Sequence, residues 1–248
     1  MVINGRNNLT SLDYLISNMV NSTISDDLLA KIAKKMADNC WLDLKPLLRS
    51  GTRGRDIVYR PDVLKDANIF SLCGVPDDFQ LGGGHYPSGP QLEGNRPFFK
   101  RCLLANNPTT VYNESLRVLI HKSDINGAIK LMQRHAPVRA DATIACAIIF
   151  ICSRYDYMAG LFLQLYTRNH HPLDSDITRD LCEGFLEEIK KFNPPYNNTY
   201  GYSFCYPSSH GIKMPPCAYH CYMVSGAFKN VCNKCYLWPC ARRVSQML

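Results

Sequence analysis

The run Ala142-Thr143-Ile144-Ala145-Cys146-Ala147-Ile148-Ile149-Phe150-Ile151-Cys152 is the one long apolar stretch in the chain. A membrane-spanning helix needs roughly 20 apolar residues, so this run is too short to cross a bilayer. It is apolar on every side, and the segment Ala140 to Ile151 reads as a helix buried at the centre of a packed domain. Helical spacing extends to both sides of it. Tyr112 to His135 reads as two helices hinged near Ser123-Asp124, and Ile144 to Thr167 as two more hinged near Arg154-Tyr155-Asp156. When the two segments are overlaid, Leu116 meets Ile148 and Gly127 falls one place from Gly160. The implied period of about 32–33 residues is that of helix pairs that stack into solenoids. Ile177 to Lys191 would cap such a stack, with Pro194-Pro195 ending it.

The N-terminal stretch Ser25-Asp26-Asp27-Leu28-Leu29-Ala30-Lys31-Ile32-Ala33-Lys34-Lys35-Met36 places Leu28, Leu29, Ile32, Ala33 and Met36 on one helical face. Ser25 suits the N-cap, and the two aspartates suit the positive end of the helix. A second short helix is expected from Trp41 to Arg49, where Pro46 forces a kink or a new first turn. Arg60-Pro61-Asp62 reads as a third helix start. The expected architecture is therefore all-α. It comprises a three-helix module over residues 9–70, a Gly/Pro-rich linker over 71–96, stacked helix-pair repeats over 97–192 and a small, irregular, Cys-rich tail over 193–248. Gly82-Gly83-Gly84 belongs to the linker. With no Gly-Lys-Ser/Thr after it and no strand before it, it does not read as a phosphate loop.

Hydrophobic residues make up 46 % and charged residues 20 % of the 248, ordinary values for a chain with a core. The beginning Met1-Val2-Ile3-Asn4-Gly5-Arg6 lacks the apolar run of a secretory signal, so the expected compartment is the cytosol or nucleus. There the 12 cysteines read as buried thiols or metal ligands and not as disulfides. In the tail, Cys217-x₃-Cys221 and Cys232-x₂-Cys235 supply two short thiol pairs, the spacing that suits tetrahedral zinc. Cys240 or His220 could replace one of the four, and buried free thiols are the other reading of the same residues. The net charge of +7 raises the question of nucleic acid. The basic residues are scattered, with short clusters such as Arg49, Arg53, Arg55 and Arg60, so solvated helix faces account for them. No nucleophile–base, metalloprotease or nucleotide-loop motif is present, and His121, His135, His170 and His171 carry no paired acidic or nucleophilic partner in sequence.

The segment Asp26-Asp27-Leu28-Leu29 through Ile32, Met36, Leu42-Asp43-Leu44, Ser50, Arg55, Ile57, Pro61, Val63 and Lys65 resembles an F-box. Phe98-Phe99-Lys100-Arg101-Cys102, Asn107-Pro108 and Tyr112-Asn113-Glu114-Ser115-Leu116 resemble the second half of a group of short plant F-box proteins. In that group, helical repeats of TPR/Sel1 type and a Cys-rich end follow. The match departs in three places: Ile24-Ser25 stands for Leu-Pro, Gly51-Thr52 for Cys-Lys, and Gly54 for an aromatic residue. Losing that aromatic would remove a buried contact of about 1.5–3 kcal/mol.

The resemblance implies a non-catalytic adaptor of a Skp1–cullin–F-box ubiquitin ligase. Leu28, Leu29, Ile32, Leu44, Leu47 and Leu48 form the apolar face expected to meet a Skp1-like subunit or to support that surface. Arg117, Lys130, Arg134, Tyr155 and Tyr157, on the more exposed repeat helices, are the expected contacts to a target protein. No membrane is implied as partner. The competing expectation from another class is a zinc-stabilised nucleic-acid-binding protein.

Overall fold

The computed structural model describes residues 16, 18–20, 22–69, 90–194, 200–204, 216–217, 221 and 232–248. Every regular element among the described residues is helical, and none of these helices is long and apolar enough to cross a membrane. The chain divides into two compact units, Met1–Val111 and Tyr112–Leu248.

In the first unit, α1 (Asp26–Asn39) is capped as its sequence predicts, with Ser25 Oγ accepting from the Leu28 N–H. Its inner face is Leu29, Ala30, Ala33 and Ala37, small enough for the following helices to approach closely. A 3₁₀ turn, Trp41–Leu44, passes into α2 (Lys45–Arg49), where Pro46 sits in the first turn, which has no need of its missing N–H. Next come α3 (Thr52–Val58) and α4 (Pro61–Asp66). Arg53 ties the chain before α1 to α3. Its guanidinium donates to the carbonyls of Val20, Ser22 and Ile24 and to Asp26.

The module does not end near residue 70. Helix α5 (Pro90–Leu104) packs on α4, and its Phe98 ring lies 5.2 Å from Trp41. Asn107 is buried, and its amide donates to the Leu64 and Ala67 carbonyls at 2.9 Å each. The same side chain accepts from Thr109 and Thr110, capping α6 (Pro108–His121), so one residue serves both tasks. The expected linker is thus helical from residue 90 onward. Gln91 to Arg96 show no apolar periodicity, but Pro90 fits a helix start. The Gly triplet and the rest of that stretch lie outside the described residues. The boundary between units falls at 111/112, inside α6.

The second unit contains two helix–turn–helix pairs. The first is α6 with α7 (Ile125–Met132); the second is α8 (Ala140–Cys152) with α9 (Asp156–Asn169). Both turns fall where the sequence placed its hinges. Asp124 caps α7 by accepting from the Gly127 N–H at 2.8 Å. Ala142 to Cys152 are all buried, and α8 packs against α7, α9, α10 (Asp176–Lys191) and α11 (Leu237–Met247). The apolar run is therefore the hub of this unit. The tail, expected to be irregular, ends instead in α11, whose Trp238, Cys240, Ala241 and Val244 join the hub's core. Its apolar residues recur at helical spacing and are buried against α8 and α10, and Pro239 stands in the first turn, which has no need of its missing N–H.

Candidate metal centre and partner face

Cys232 immediately precedes the 3₁₀ turn Asn233–Cys235, whose backbone closes through Cys235 N–H donating to the Cys232 carbonyl at 3.2 Å. This turn carries the second thiol pair. Cys217 and Cys221 supply the first, and all four Sγ atoms lie within 4.8 Å of one another. Cys232 Sγ is 3.5 Å from both Cys217 Sγ and Cys235 Sγ. A tetrahedron of Zn–S bonds of about 2.3 Å has edges of about 3.8 Å, so these spacings match a metal cage. They are far beyond the roughly 2.05 Å of a disulfide, and none of the four is disulfide-bonded. Burial opposes ionisation of Cys232, but hydrogen bonds from the Cys217, Cys235 and Cys221 thiols outweigh it and bring its pKa down to about 7. Burial pushes the Cys235 thiol up.

Cys240 does not join the cluster. It lies in the core of the second unit, with Sγ 3.6 Å from the Cys182 carbonyl, because it belongs to the inner face of α11. His220, Cys205 and His210 lie outside the described residues. A set of four sulfur ligands leaves no open position, the form of a structural site and not of a catalytic one.

On the first unit, the six leucine and isoleucine candidates separate. Leu29, Leu44 and Leu47 are buried in the unit's own core, while Ile32 and Leu48 are half-buried. Leu28 alone of the six is exposed, at 49 %. Leu42, which spacing gave no reason to select, is also exposed, at 40 %. Leu28 heads the solvent face of α1, which continues through Ile32 with the exposed Lys31 and Lys35 beside it. Close by, Arg60 pairs with Asp27 and Asp62, and Lys34 with Asp66, along an open groove of about 220 Å³.

On the second unit, Lys130, Arg134, Tyr155 and Tyr157 are exposed, Tyr157 at 78 %. Tyr157 and Leu161 stand one turn apart on α9 and form an exposed apolar ridge. Arg117 is less free than spacing suggested, because its guanidinium donates to Glu114 on the same helix at 2.8 Å.

One ionisable cluster was invisible in the sequence. Tyr112 OH donates to Glu188 Oε2 at 2.7 Å, and the Arg139 guanidinium, paired with Asp141, lies 5.3 Å from the Tyr112 ring. Burial raises both the Tyr112 and the Glu188 pKa. These groups join α6 to α10 and satisfy one another. His170 is likewise internal, with Nε2 3.3 Å from Thr143 Oγ1 and its ring beside Tyr166. Burial lowers the His121 pKa, and its ring packs on Phe192.

Comparisons with known protein families, with curated proteins and with solved structures found no match in any of the three.

Proposed function

We propose that this chain is a substrate-recruiting adaptor of a Skp1–cullin–F-box ubiquitin ligase. The first unit would engage a Skp1-like subunit and the second a target protein. The observation that carries this reading is Leu28. It is a large apolar side chain at the start of α1, within the segment that resembles an F-box, and it remains half exposed after the unit's core is filled. Leu28 and the half-buried Ile32 stand one turn apart on the same face of α1, so an apolar partner side chain would meet two residues there and not one isolated leucine. The ridge of Tyr157 and Leu161 on the second unit supports the target-binding half, since exposed tyrosine is favoured at interfaces. The TPR/Sel1-like reading of the helix pairs belongs to the same proposal.

The four-thiol cluster is read as a zinc site, the metal that four soft ligands at this spacing suit best. A zinc–thiolate site of this kind would need its cysteines kept reduced, which fits the expected compartment of cytosol or nucleus. The test uses proximity labelling with the full chain and two point variants. Leu28→Asp should lose ligase subunits and keep the other labelled proteins. Tyr157→Asp should do the reverse. If both variants label the same proteins as the parent chain, the proposal is wrong.

A further inference from the structure

Cys235 is one residue away from a helix built into the core of the second unit. Tyr236, the residue between them, is buried, and its hydroxyl donates to Glu183 at 2.9 Å while the Arg179 guanidinium lies 4.8 Å from its ring. Asn233 donates to Asp176 at 2.7 Å, so the thiol-bearing turn is fixed to the first turn of α10. Further along, the Cys152 thiol donates to the Ala241 carbonyl at 3.1 Å, and the Leu248 carbonyl accepts from the Tyr200 N–H at 3.0 Å. Cys217, Cys221 and Cys232 themselves pack against the apolar cluster that contains all of α8's buried face.

By itself α11 is a weak helix. It has 11 residues, no side-chain N-cap and no acid in its first turn. Isolated helices shorter than about 12–15 residues are marginal in water, and an uncapped start adds to that deficit. What precedes the helix is the Cys232–Cys235 turn, closed on its far side by Cys217 and Cys221.

We infer that zinc held by Cys217, Cys221, Cys232 and Cys235 latches α11 into the core of the second unit, making the metal a folding cofactor of that whole unit. This rests on the zinc reading above and extends it: the ion would stabilise α8 and α10 through α11, and not merely an appended tail. Metal binding at a site that the unfolded chain lacks becomes folding free energy.

The experiment is hydrogen exchange on the full chain under reducing conditions, with metal content measured on the same samples. The holo protein should carry one zinc per chain. Removing zinc with a strong chelator should raise exchange at least tenfold across 237–248 and 142–152 while leaving 26–39 unchanged, and added zinc chloride should restore protection. If zinc leaves and protection across 237–248 stays, the latch is overturned and the zinc site stands. If neither purified nor zinc-treated protein holds metal, both are overturned. Equal loss of protection across 26–39 would also contradict the latch, since the effect would not belong to the second unit.

Discussion

Gly54 is buried, and a Cβ there would run into the Leu47 carbonyl oxygen and the Ser50 hydroxyl. The sequence suggests that a missing aromatic residue at this position should leave a hole. Instead α2 and α3 close on each other and use the space, a backbone approach that no periodicity argument can see. Gly54→Ala should therefore destabilise the first unit by about 1–3 kcal/mol in urea unfolding, since a backbone carbonyl gives way poorly to an added methyl. A change within about 0.5 kcal/mol would contradict this, being ordinary for an uncrowded surface site. Glu188 makes a second prediction at this scale. Burial raises its pKa above the ordinary 4.5, with the Tyr112 hydrogen bond acting the other way. The charged carboxylate is then the less favoured form in the fold. Its contribution to stability is present below the ordinary value and is lost as pH rises through the raised one. Glu188→Gln keeps an acceptor for Tyr112 but carries no charge, so melting temperature should shift in the variant's favour between pH 4 and pH 7. An equal difference at both pH values would show that the group does not titrate in this way.

Among the elements, those read from burial pattern and hinge residues agree with the structure most closely. The Ser25 cap, the Pro61 start, the Ser123-Asp124 turn and the all-round burial of α8 depend on local chemistry within one or two turns, which a sequence displays. Elements whose support is distant were not legible. Helix α5 begins in a polar stretch with no apolar face, and α11 is held by α8 and α10. Its apolar face, Trp238, Ala241, Val244 and Leu248, was present in the sequence but overshadowed by the cysteines around it. Asn106 and Arg154, with φ of 60° and 61°, take the left-handed position that glycine usually marks. The candidate metal site was half legible: the two short Cys pairs declared themselves by spacing, while the exclusion of Cys240 depended on which face of α11 it occupies. Trp238→Ala should cost about 3–5 kcal/mol in the second unit, the range for truncating a buried aromatic. A loss below about 1 kcal/mol by thermal or chemical unfolding would mean that α11 is not part of that core.

At the scale of the whole molecule, each unit has its own apolar cluster, and in the first the leucines sort by burial into core and surface. The sequence could identify an apolar helical face but not divide it, because burial of α1 depends on α3 and α4, which pack on it from later in the chain. The division matters for function, since Leu29→Asp would unfold the unit and Leu28→Asp should not. The most direct measurement is a calorimetric titration of the purified full chain with a purified plant Skp1-like protein, repeated with Leu28→Asp under the same conditions. The adaptor account predicts saturable one-to-one binding by the parent chain and at least a tenfold weaker affinity for the variant, about 1.4 kcal/mol or more, with unchanged circular dichroism. No binding by the parent chain, or equal binding by a correctly folded Leu28→Asp variant, would contradict it.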